Sequence, residues 1–460
     1  ASLRIDNAHF DGTVPIDILR ARINAQLSLD SGGTSVDAGF SGSGARVGAF
    51  SINRFSGDAH LIDGAGKVRA SIIGQRGRRF NLQFDADIGA DRIGLLLAGT
   101  MDGQKVSLDH RAQFNRVEGG WALDPVMLRY GGGAAQVNSA HFGSETRLDL
   151  SLQRMPLSLL DLSNSDMGLA GLASGRLTYA QPRGGIATGS ARLVVRGLSR
   201  SGLTRTSLPV DLGVNADLTA NRLALRAVIT QKGTLIGRMQ ALMTPLGQGR
   251  LIDRLRAAPV QAQMRYIGPA EAVWRMSRIE IVDITGKLAL RADISGTGAN
   301  PIIAGALRTE DAGLESPVTG MHLNHVRSSA RFDGSKLVFS DVSGTARNGG
   351  TVSGRGSFDF SLGQGIGIDM ALQANNADLL DRDDIGATVT GPITIHSDGV
   401  GGVIGGKLDV VKSRFTLGRA AAVAQIPQLQ VIEKNGRQGD FAPTDRGMTW
   451  KLDIDADARN

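Results

Sequence analysis

The chain contains no cysteine and few aromatic residues, and each shortage excludes a class of protein. Without cysteine it has neither a disulfide framework nor a thiolate metal site. Aromatic residues make up 4% of its 460 residues, whereas compact all-β domains usually fill their cores with Trp, Tyr and Phe. The apolar residues are mostly Leu, Ile, Val and Ala, so any apolar surface is smooth and aliphatic.

Long hydrophobic runs are also missing. A membrane-spanning helix needs ~20 apolar residues, and the longest candidates, at 93–99 and 420–426, are far shorter. We expect the chain to be a piece of a longer protein whose membrane anchor or signal lies outside it. The net charge is +7, but Lys and Arg are spread along the sequence without stacking aromatics, which argues against a nucleic-acid binder.

What the sequence does have is a long succession of short segments in which apolar and polar residues alternate. In residues 80–88, for example, Phe80, Leu82 and Phe84 alternate with Asn81 and Gln83. Because successive strand side chains point to opposite faces, each segment predicts a strand with one apolar and one polar face. Glycine is frequent, at 62 residues, and lies mainly between these segments.

The connections between segments predict how the strands pair. Pairs such as Asp63-Gly64 and Asp102-Gly103 are typical of two-residue β-hairpins, so neighbouring strands should be antiparallel. The sequence therefore predicts an all-β fold: an elongated, curved antiparallel β-sheet that forms an open hydrophobic groove, with a few short helices. Such an open, curved sheet is described as β-taco-like.

Short helices are predicted at three places. Residues 156–163 form an amphipathic turn or two, and residues 244–257 form a helix with Thr244 as N-cap and Pro245 at the first helical position. A third short helix is predicted directly after Gly268-Pro269. The first two helices predict a division into an N-terminal β-groove segment at 1–155, a helix-led β repeat at 156–244 and a helix-led β-groove segment at 245–460.

Four stretches of sequence carry a resemblance to a known family. They are GTARNGGTVSGRGSFDF at 344–360, NADLLDRDDIGATVTGPITI at 376–395, GGKLDVVKSRFTLGRAAA at 405–422 and ISGTGANPIIAGAL at 294–307. The chain resembles the AsmA-like envelope proteins, and within them the TamB branch, most strongly from about residue 288 onwards. In that branch, WKLDIDADARN at 450–460 looks like the lead-in to a terminal domain that the chain would lack.

The resemblance implies a periplasmic protein that is anchored to the inner membrane and carries phospholipid towards the outer membrane. It also implies a part in outer-membrane protein assembly, in partnership with the outer-membrane barrel TamA through parts outside this chain. The alternating segments point the same way, because an acyl chain exposed to water costs about 0.8 kcal/mol per CH₂ and an apolar groove would shield it.

The candidate site is therefore a lipid groove rather than a catalytic centre. Its predicted residues share the apolar face of their segments and are aliphatic or phenyl: Leu148, Leu150, Leu152, Leu288, Leu290, Ile294, Phe358, Phe360, Ile366, Ile368, Met370 and Leu372. We expect no enzyme activity, no cofactor and no metal ion. The nearest motifs are weak, because the P-loop-like segment at 401–407 is followed by Leu408 instead of Ser or Thr, and His322 and His325 would lie on opposite faces of a strand.

Two other classes stay open at this point. A parallel β-helix acting as adhesin or polysaccharide-active protein would need a fixed rung length without hairpin turns. An outer-membrane β-barrel would need aromatic girdles at both interfaces, and the chain has three Trp and three Tyr.

Overall fold

A computed structural model describes residues 1–12, 15–30, 33–162, 167–201, 206–244, 249–277, 282–317, 319–361, 365–399, 401–416 and 450–457. The described residues are overwhelmingly β-strand, which confirms the all-β prediction. Two compact units are present. The first comprises Ala1–Ser201 and Pro209–Pro259, and the second comprises Gly202–Leu208 and Val260–Asn460.

The first unit contains eighteen strands, one 3₁₀ helix and one short α-helix among its described residues. The strands are β1 Ser2–Phe10, β2 Ile16–Asp30, β3 Gly33–Val47, β4 Phe50–Ile62, β5 Ala65–Arg76, β6 Arg78–Ile88, β7 Arg92–Met101, β8 Gln104–Leu108, β9 Ala112–Val117, β10 Gly120–Leu123, β11 Val126–Tyr130, β12 Gly133–Gly143, β13 Glu145–Pro156, β14 Leu169–Pro182, β15 Thr188–Arg200, β16 Val210–Leu218, β17 Leu223–Gln231 and β18 Thr234–Met243. The 3₁₀ helix is Leu157–Leu162, and α1 is Leu251–Ala257.

The described part of the second unit contains ten strands, a short α-helix and a 3₁₀ turn. The strands are β19 Val260–Pro269, β20 Asp283–Gly296, β21 Pro301–Glu315, β22 His322–Gly334, β23 Lys336–Ala346, β24 Thr351–Asp359, β25 Gly367–Asp381, β26 Ile385–Asp398, β27 Gly402–Phe415 and β28 Trp450–Asp457. Helix α2 is Ala270–Trp274, and the 3₁₀ turn is Arg275–Ser277.

Within each unit, strands that follow one another in sequence pair antiparallel. In the first unit the short strands β8 and β9 both pair with β7, each along a different part of it. In the same way, β10 and β11 both pair with β12. In the second unit the exception is β28, which pairs parallel with β27. The antiparallel pairing excludes the parallel β-helix.

The hairpins form as the Asp-Gly pairs predict. Asp63 and Gly64 have φ angles of 49° and 78°, and Asp102 and Gly103 have 51° and 74°. Positive φ at both central residues defines the type I′ turn, whose twist matches that of the two strands it joins. Lys232-Gly233 makes the same turn without an Asp or Asn.

Helical structure is present at all three predicted places, at 157–162, 251–257 and 270–277. The predicted first residue of the second helix is wrong. Helix α1 begins at Leu251 with Arg250 as its N-cap. Thr244 instead continues the strand pattern, because its N–H donates to Pro259 O at 3.2 Å. The proposed first helical position, Pro245, lies outside the described residues.

Both sheets bend at β-bulges. In the second unit the register shifts on β20, β21, β22, β23 and β25, at Gly286/Ala289, Thr309/Ala312, Asn324/Arg327, Phe339/Val342 and Ala374/Ala377. A bulge leaves one residue unpaired, bends its strand and increases the local twist. Bulges on this many strands allow a single sheet to curl.

Candidate functional site: the apolar face

The strand register places apolar residues of the first unit in continuous rows across the sheet. Residues directly opposite each other in an antiparallel pair share a face. One row crosses nine strands: Ile5, Ala21, Gly42, Phe55, Ile72, Leu82, Gly99, Val106 and Tyr130. Another crosses β12 to β18: Val137, Leu150, Leu177, Ala191, Ala216, Leu225 and Ala241. All these residues are apolar or glycine.

The second unit has an equivalent row. It runs from β19 to β27 through Tyr266, Leu290, Leu307, Ala330, Phe339, Gly356, Met370, Ile395 and Ile404. The name apolar face is used below for the side of each sheet that carries these rows, and polar face for the opposite side.

One end of the apolar face in the second unit is closed. This closed end consists of ten residues that are at most 9% exposed: Ala312, Leu323, Val326, Ala346, Val352, Ala374, Ala377, Val389, Ile393 and Leu408. The connection between β21 and β22 crosses this end of the sheet, where Thr319 O accepts a hydrogen bond of 2.9 Å from the N–H of Asp381 in β25. Met321 of the same connection packs against the closed end.

The other end is open. Seven of its residues are half-buried: Ile303, Phe332, Phe339, Phe358, Met370, Ile395 and Ile404. Leu337 and Ile368, which lie opposite Phe358, are buried among them at 3% and 8% exposure. Phe339 and Phe358 meet edge to face with centroids 5.1 Å apart, and Phe332 lies 6.5 Å from Phe360. An apolar surface that keeps this much exposure, beside a closed core on the same strands, is typical of a ligand groove.

Helix α2 shows how strongly the second unit curves. The Trp274 ring lies 6.0 Å from that of Phe358 on β24. In a flat sheet, β24 would lie four strand spacings from β20, about 19 Å. The sheet therefore curls with its apolar face inside. The helix is fixed by Arg275, which makes a bidentate pair with buried Asp283 at 2.6 and 2.8 Å, and by Trp274 Nε1, which donates to Val282 O at 2.7 Å.

The first unit curves in the same sense. After β13, the 3₁₀ helix Leu157–Leu162 carries Leu159 onto a buried cluster that contains Phe80 and Met155. Asp161 of this helix accepts a hydrogen bond of 2.8 Å from Arg78 Nε, at the start of β6. Five strand spacings, about 24 Å in a flat sheet, separate β6 from β13 in the pairing order. The apolar face is again the concave one here.

Glycine keeps the apolar face of the first unit smooth. Phe40 lies opposite Gly57, Phe55 opposite Gly42, and Phe80 opposite Gly74. A Cβ added at Gly57 or Gly42 would overlap the opposing phenyl ring, so the rings lie over the glycines across the strand. Aromatic cover of glycine is a known device of curved sheets.

The polar face is covered with ion pairs. Arg69 and Asp58 pair at 3.1 Å beside a shallow depression lined by Ser56, Ser71 and Gln83. On β13, Asp149 accepts hydrogen bonds from Arg176 and from Asn138, and the Arg176 guanidinium lowers the pKa of its carboxyl below the ordinary value. Solvated pairs of this kind separate the two faces chemically.

Tyr266, 1% exposed, is the largest fully buried side chain among the described residues. It donates a hydrogen bond of 2.7 Å to Pro269 O. Burial raises the pKa of Tyr266 to about 12, and the nearby Glu271 carboxylate adds to this shift. The group is therefore neutral at physiological pH and is compatible with an apolar surface.

The structure brings most predicted groove residues onto these faces. Leu148, Leu150 and Leu152 are half-buried on β13 of the first unit. In the second unit Leu288 and Ile368 are buried, each 8% exposed, and Phe360 is 40% exposed. The remaining six are half-buried: Leu290, Ile294, Phe358, Ile366, Met370 and Leu372. Lipid contact by any of them stays a prediction.

Two of these residues lie outside the strands to which the alternation assigned them. Strand β24 ends at Asp359 and β25 begins at Gly367, so Phe360 and Ile366 flank the connection between them. Phe360 N–H still donates to Ser335 O at 3.0 Å. The physical reason is that this connection is longer than a two-residue turn, and strand pairing stops before the alternating pattern does.

Sequence reasoning missed Phe339, Tyr266 and Trp274. Phe339 follows Leu337 and Val338, and three consecutive apolar residues give no alternation. The turn signal after Phe332 was usable, because the hairpin closes at Gly334 and Ser335, pairs Phe332 with Leu337 and so fixes which alternate residues face inward. The position of Trp274 depends on the curl of the sheet and has no local signal.

The weaker motifs have local explanations. Residues 402–407 of the P-loop-like segment belong to strand β27, as Leu408 and Val410 predict. His322 lies 2.6 Å from Glu315, and His325 lies 2.8 Å from Asp311. Among the described residues, no group of three or more His, Cys, Asp or Glu could hold a metal ion.

No helix in the described part of the chain has the length and apolarity to span a membrane. The fold and the face together define an amphipathic-sheet protein, with a concave apolar face and a solvated polar face in each unit. Comparison with curated proteins gives no match, and comparison with solved structures gives none either.

A family model described as the TamB C-terminal domain matches residues 340–460. Residues 340–460 are thereby assigned to the TamB/AsmA-like family, whose members are envelope proteins of outer-membrane biogenesis. The match includes most of β23 and all of β24 to β28. The prediction that the chain lacks the family's terminal domain is wrong, because the matched residues begin at 340.

Proposed function

We propose that the chain is part of a periplasmic lipid-transfer protein, which shields phospholipid acyl chains on its apolar face as they pass between the inner and outer membranes. The observation that carries the proposal is the row of apolar residues and one glycine across β19 to β27, which is half-buried at the open end. Its counterpart in the first unit has the same character.

The energetics favour a continuous face over separate pockets. An acyl chain costs about 0.8 kcal/mol for each CH₂ exposed to water, so a chain of ordinary length needs roughly 10 kcal/mol of shielding. A continuous apolar row supplies that shielding at every step, and the lipid never has to leave it. The proposal therefore needs no catalytic residue, cofactor or metal, and the protein acts as a conduit rather than an enzyme.

The family assignment supports the proposed setting. A TamB-like protein of outer-membrane biogenesis would be anchored to the inner membrane by a segment outside this chain and would work with the outer-membrane barrel TamA. The inner-membrane anchor, the partnership with TamA and phospholipid as the cargo are all parts of the proposal.

Native mass spectrometry with lipid extraction, on the chain purified from membranes, tests the cargo. We expect phospholipid to co-purify with the chain and to be lost when Leu290 and Met370 are both changed to Asp. The matched control changes Arg291 and Ala371, their exposed neighbours on the polar face, to Asp. A lipid-free wild-type chain, or equal loss in the control, would contradict the proposal.

A further inference from the structure

Helix α1 of the first unit contains a buried arginine. Arg254 is 3% exposed, although arginine is almost never fully buried without a partner. The half-buried Leu251 and Leu255 flank it on the helix, whereas Arg250 and Arg256 are exposed. Arg254 is therefore held inside by the same helix face that carries the apolar side chains.

The guanidinium of Arg254 is incompletely satisfied. Its Nη2 donates to Ala220 O at 3.2 Å. Its Nε and Nη1 are buried and have no hydrogen-bond partner. It forms no ion pair with any Asp or Glu in the described ranges of the chain. A buried charge without an opposite charge beside it is unfavourable, so the Arg254 guanidinium lacks an anionic acceptor.

The position of this cation relates it to the apolar face. Ala220 lies in the hairpin turn between β16 and β17, where Thr219 N–H donates to Arg222 O at 2.8 Å. The strands on either side of the turn begin the apolar row Leu218, Leu223 and Met243. The guanidinium thus lies at the β16–β17 turn, where Ala220 is two residues beyond Leu218, the last residue of β16 on the apolar row.

An amphipathic anion fits this arrangement. We infer that Arg254 binds the phosphate of a phospholipid whose acyl chains lie on the apolar face that starts at Leu218 and Leu223. Guanidinium groups bind phosphate oxygens through charge-assisted hydrogen bonds, and the unused Nε–H and Nη1–H are the donors. The assignment of a phospholipid rests on the proposed function, because that function places acyl chains on the apolar face. The buried guanidinium with two unused N–H groups is observed independently of it.

The test compares two lipids with the same acyl chains: phosphatidylglycerol, which has the phosphate, and diacylglycerol, which lacks it. Their binding to the full chain is measured by native mass spectrometry, and inorganic phosphate is measured separately by its effect on Tm. The variants are Arg254→Met, which removes the cation at similar size, and Arg254→Lys, which retains a charge. Arg256→Met, exposed on the same helix, is the matched control.

We expect the wild type and Arg256→Met to prefer phosphatidylglycerol at least tenfold, and Arg254→Met to lose this preference while still binding diacylglycerol. Arg254→Lys should keep part of the preference for phosphatidylglycerol, because it retains a positive charge. If Arg254→Met does not fold, the Lys variant still tests whether the geometry of the guanidinium contributes. An unchanged preference in Arg254→Met would overturn the inference. A Tm rise with inorganic phosphate that depends on Arg254, without any preference between the lipids, would also overturn it, since the site would then bind free phosphate.

The failure of the proposed function gives a different result. If neither lipid binds the wild type or any variant, the apolar face is not a lipid groove, and the assignment of Arg254 to a lipid phosphate falls with it. If both lipids bind equally to every variant, the groove stands and Arg254 has no part in headgroup binding.

Discussion

The closed and open ends of the apolar face in the second unit are built from the same strands and differ in what covers them. At the closed end, Ala374 and Ala377 have no exposed surface, and the β21–β22 connection bonds to β25 above them. At the open end, Met370 on the same strand stays half-buried. The difference shows that one amphipathic strand can supply both a core that stabilises the fold and a surface left for a ligand.

The bulges mark the border between the two ends, and buried hydroxyl groups compensate for the lost pairing. Thr309 and Ser328 are 8% and 7% exposed. Thr309 Oγ1 donates to Lys287 O at 2.9 Å, and Ser328 Oγ donates to Asp341 O at 3.0 Å. Each carbonyl belongs to a residue that a bulge has removed from the ladder. These buried polar residues are therefore structural.

The largest expected effect is at the closed end. Ala377→Asp places a carboxylate where no surface is exposed, so we expect a loss of about 3–5 kcal/mol in the free energy of unfolding. Urea denaturation measures it. Ala371→Asp, exposed on the polar face of the same strand, is the control and should change stability by less than about 0.5 kcal/mol. Equal losses in both variants would contradict a closed core.

A smaller effect is expected where glycine keeps the apolar face smooth. In Gly57→Ala the added methyl group collides with the Phe40 ring and with Arg69 O, so we expect a loss of about 1–3 kcal/mol from overpacking. Gly39 has nothing within 4 Å of an added Cβ, and Gly39→Ala should be neutral or slightly stabilising. Thermal unfolding of the two variants checks this, and equal destabilisation of Gly57→Ala and Gly39→Ala would show that the Phe40 ring plays no part.

At the open end, stability and ligand binding should separate. Leu290→Asp leaves a carboxylate that water can reach, so we expect a loss of only about 1 kcal/mol. Phospholipid binding should fall at least tenfold. Denaturation and lipid co-purification are measured on the same preparation. Cooperative unfolding with a loss like that of Ala377→Asp would place Leu290 in a packed core instead.

The smallest effect concerns the polar face and pH. The pKa of Asp149 is lowered by its hydrogen bond with Arg176, so its stabilising contribution is present above the ordinary value of 3.8 and is lost as the pH falls through the lowered value. Unfolding measured between pH 6 and pH 2 should show a shallower loss in Asp149→Asn than in the wild type. Lipid binding above pH 5 should not change, and a change would couple the two faces.

The sequence was sufficient for features that depend on local chemistry. Alternation in residues 80–88 and the Asp63-Gly64 turn were enough to predict antiparallel strands with one apolar face. The half-buried positions of Leu150, Leu290 and Met370 follow from the same period of two.

Features that depend on curvature could not be predicted. The burial of Ala377 and the contact between Trp274 and Phe358 arise because bulged strands curl and bring distant strands together. The start of α1 was misplaced because Thr-Pro is a good helix start locally, whereas the N–H of Thr244 has a strand-like partner in Pro259 O. Arg254 gave no signal, since a surface arginine and a buried one read alike in sequence.

Site-specific photo-crosslinking at Phe339 and Val338 tests the central claim most directly. The two residues are neighbours on β23: Phe339 is half-buried on the open apolar face, and Val338 is 41% exposed on the polar face. Because Val338 is apolar and more exposed, it controls for non-specific contact with lipid. We expect phospholipid crosslinks at Phe339 and none at Val338. Equal crosslinking at both positions, or none at Phe339, would contradict it.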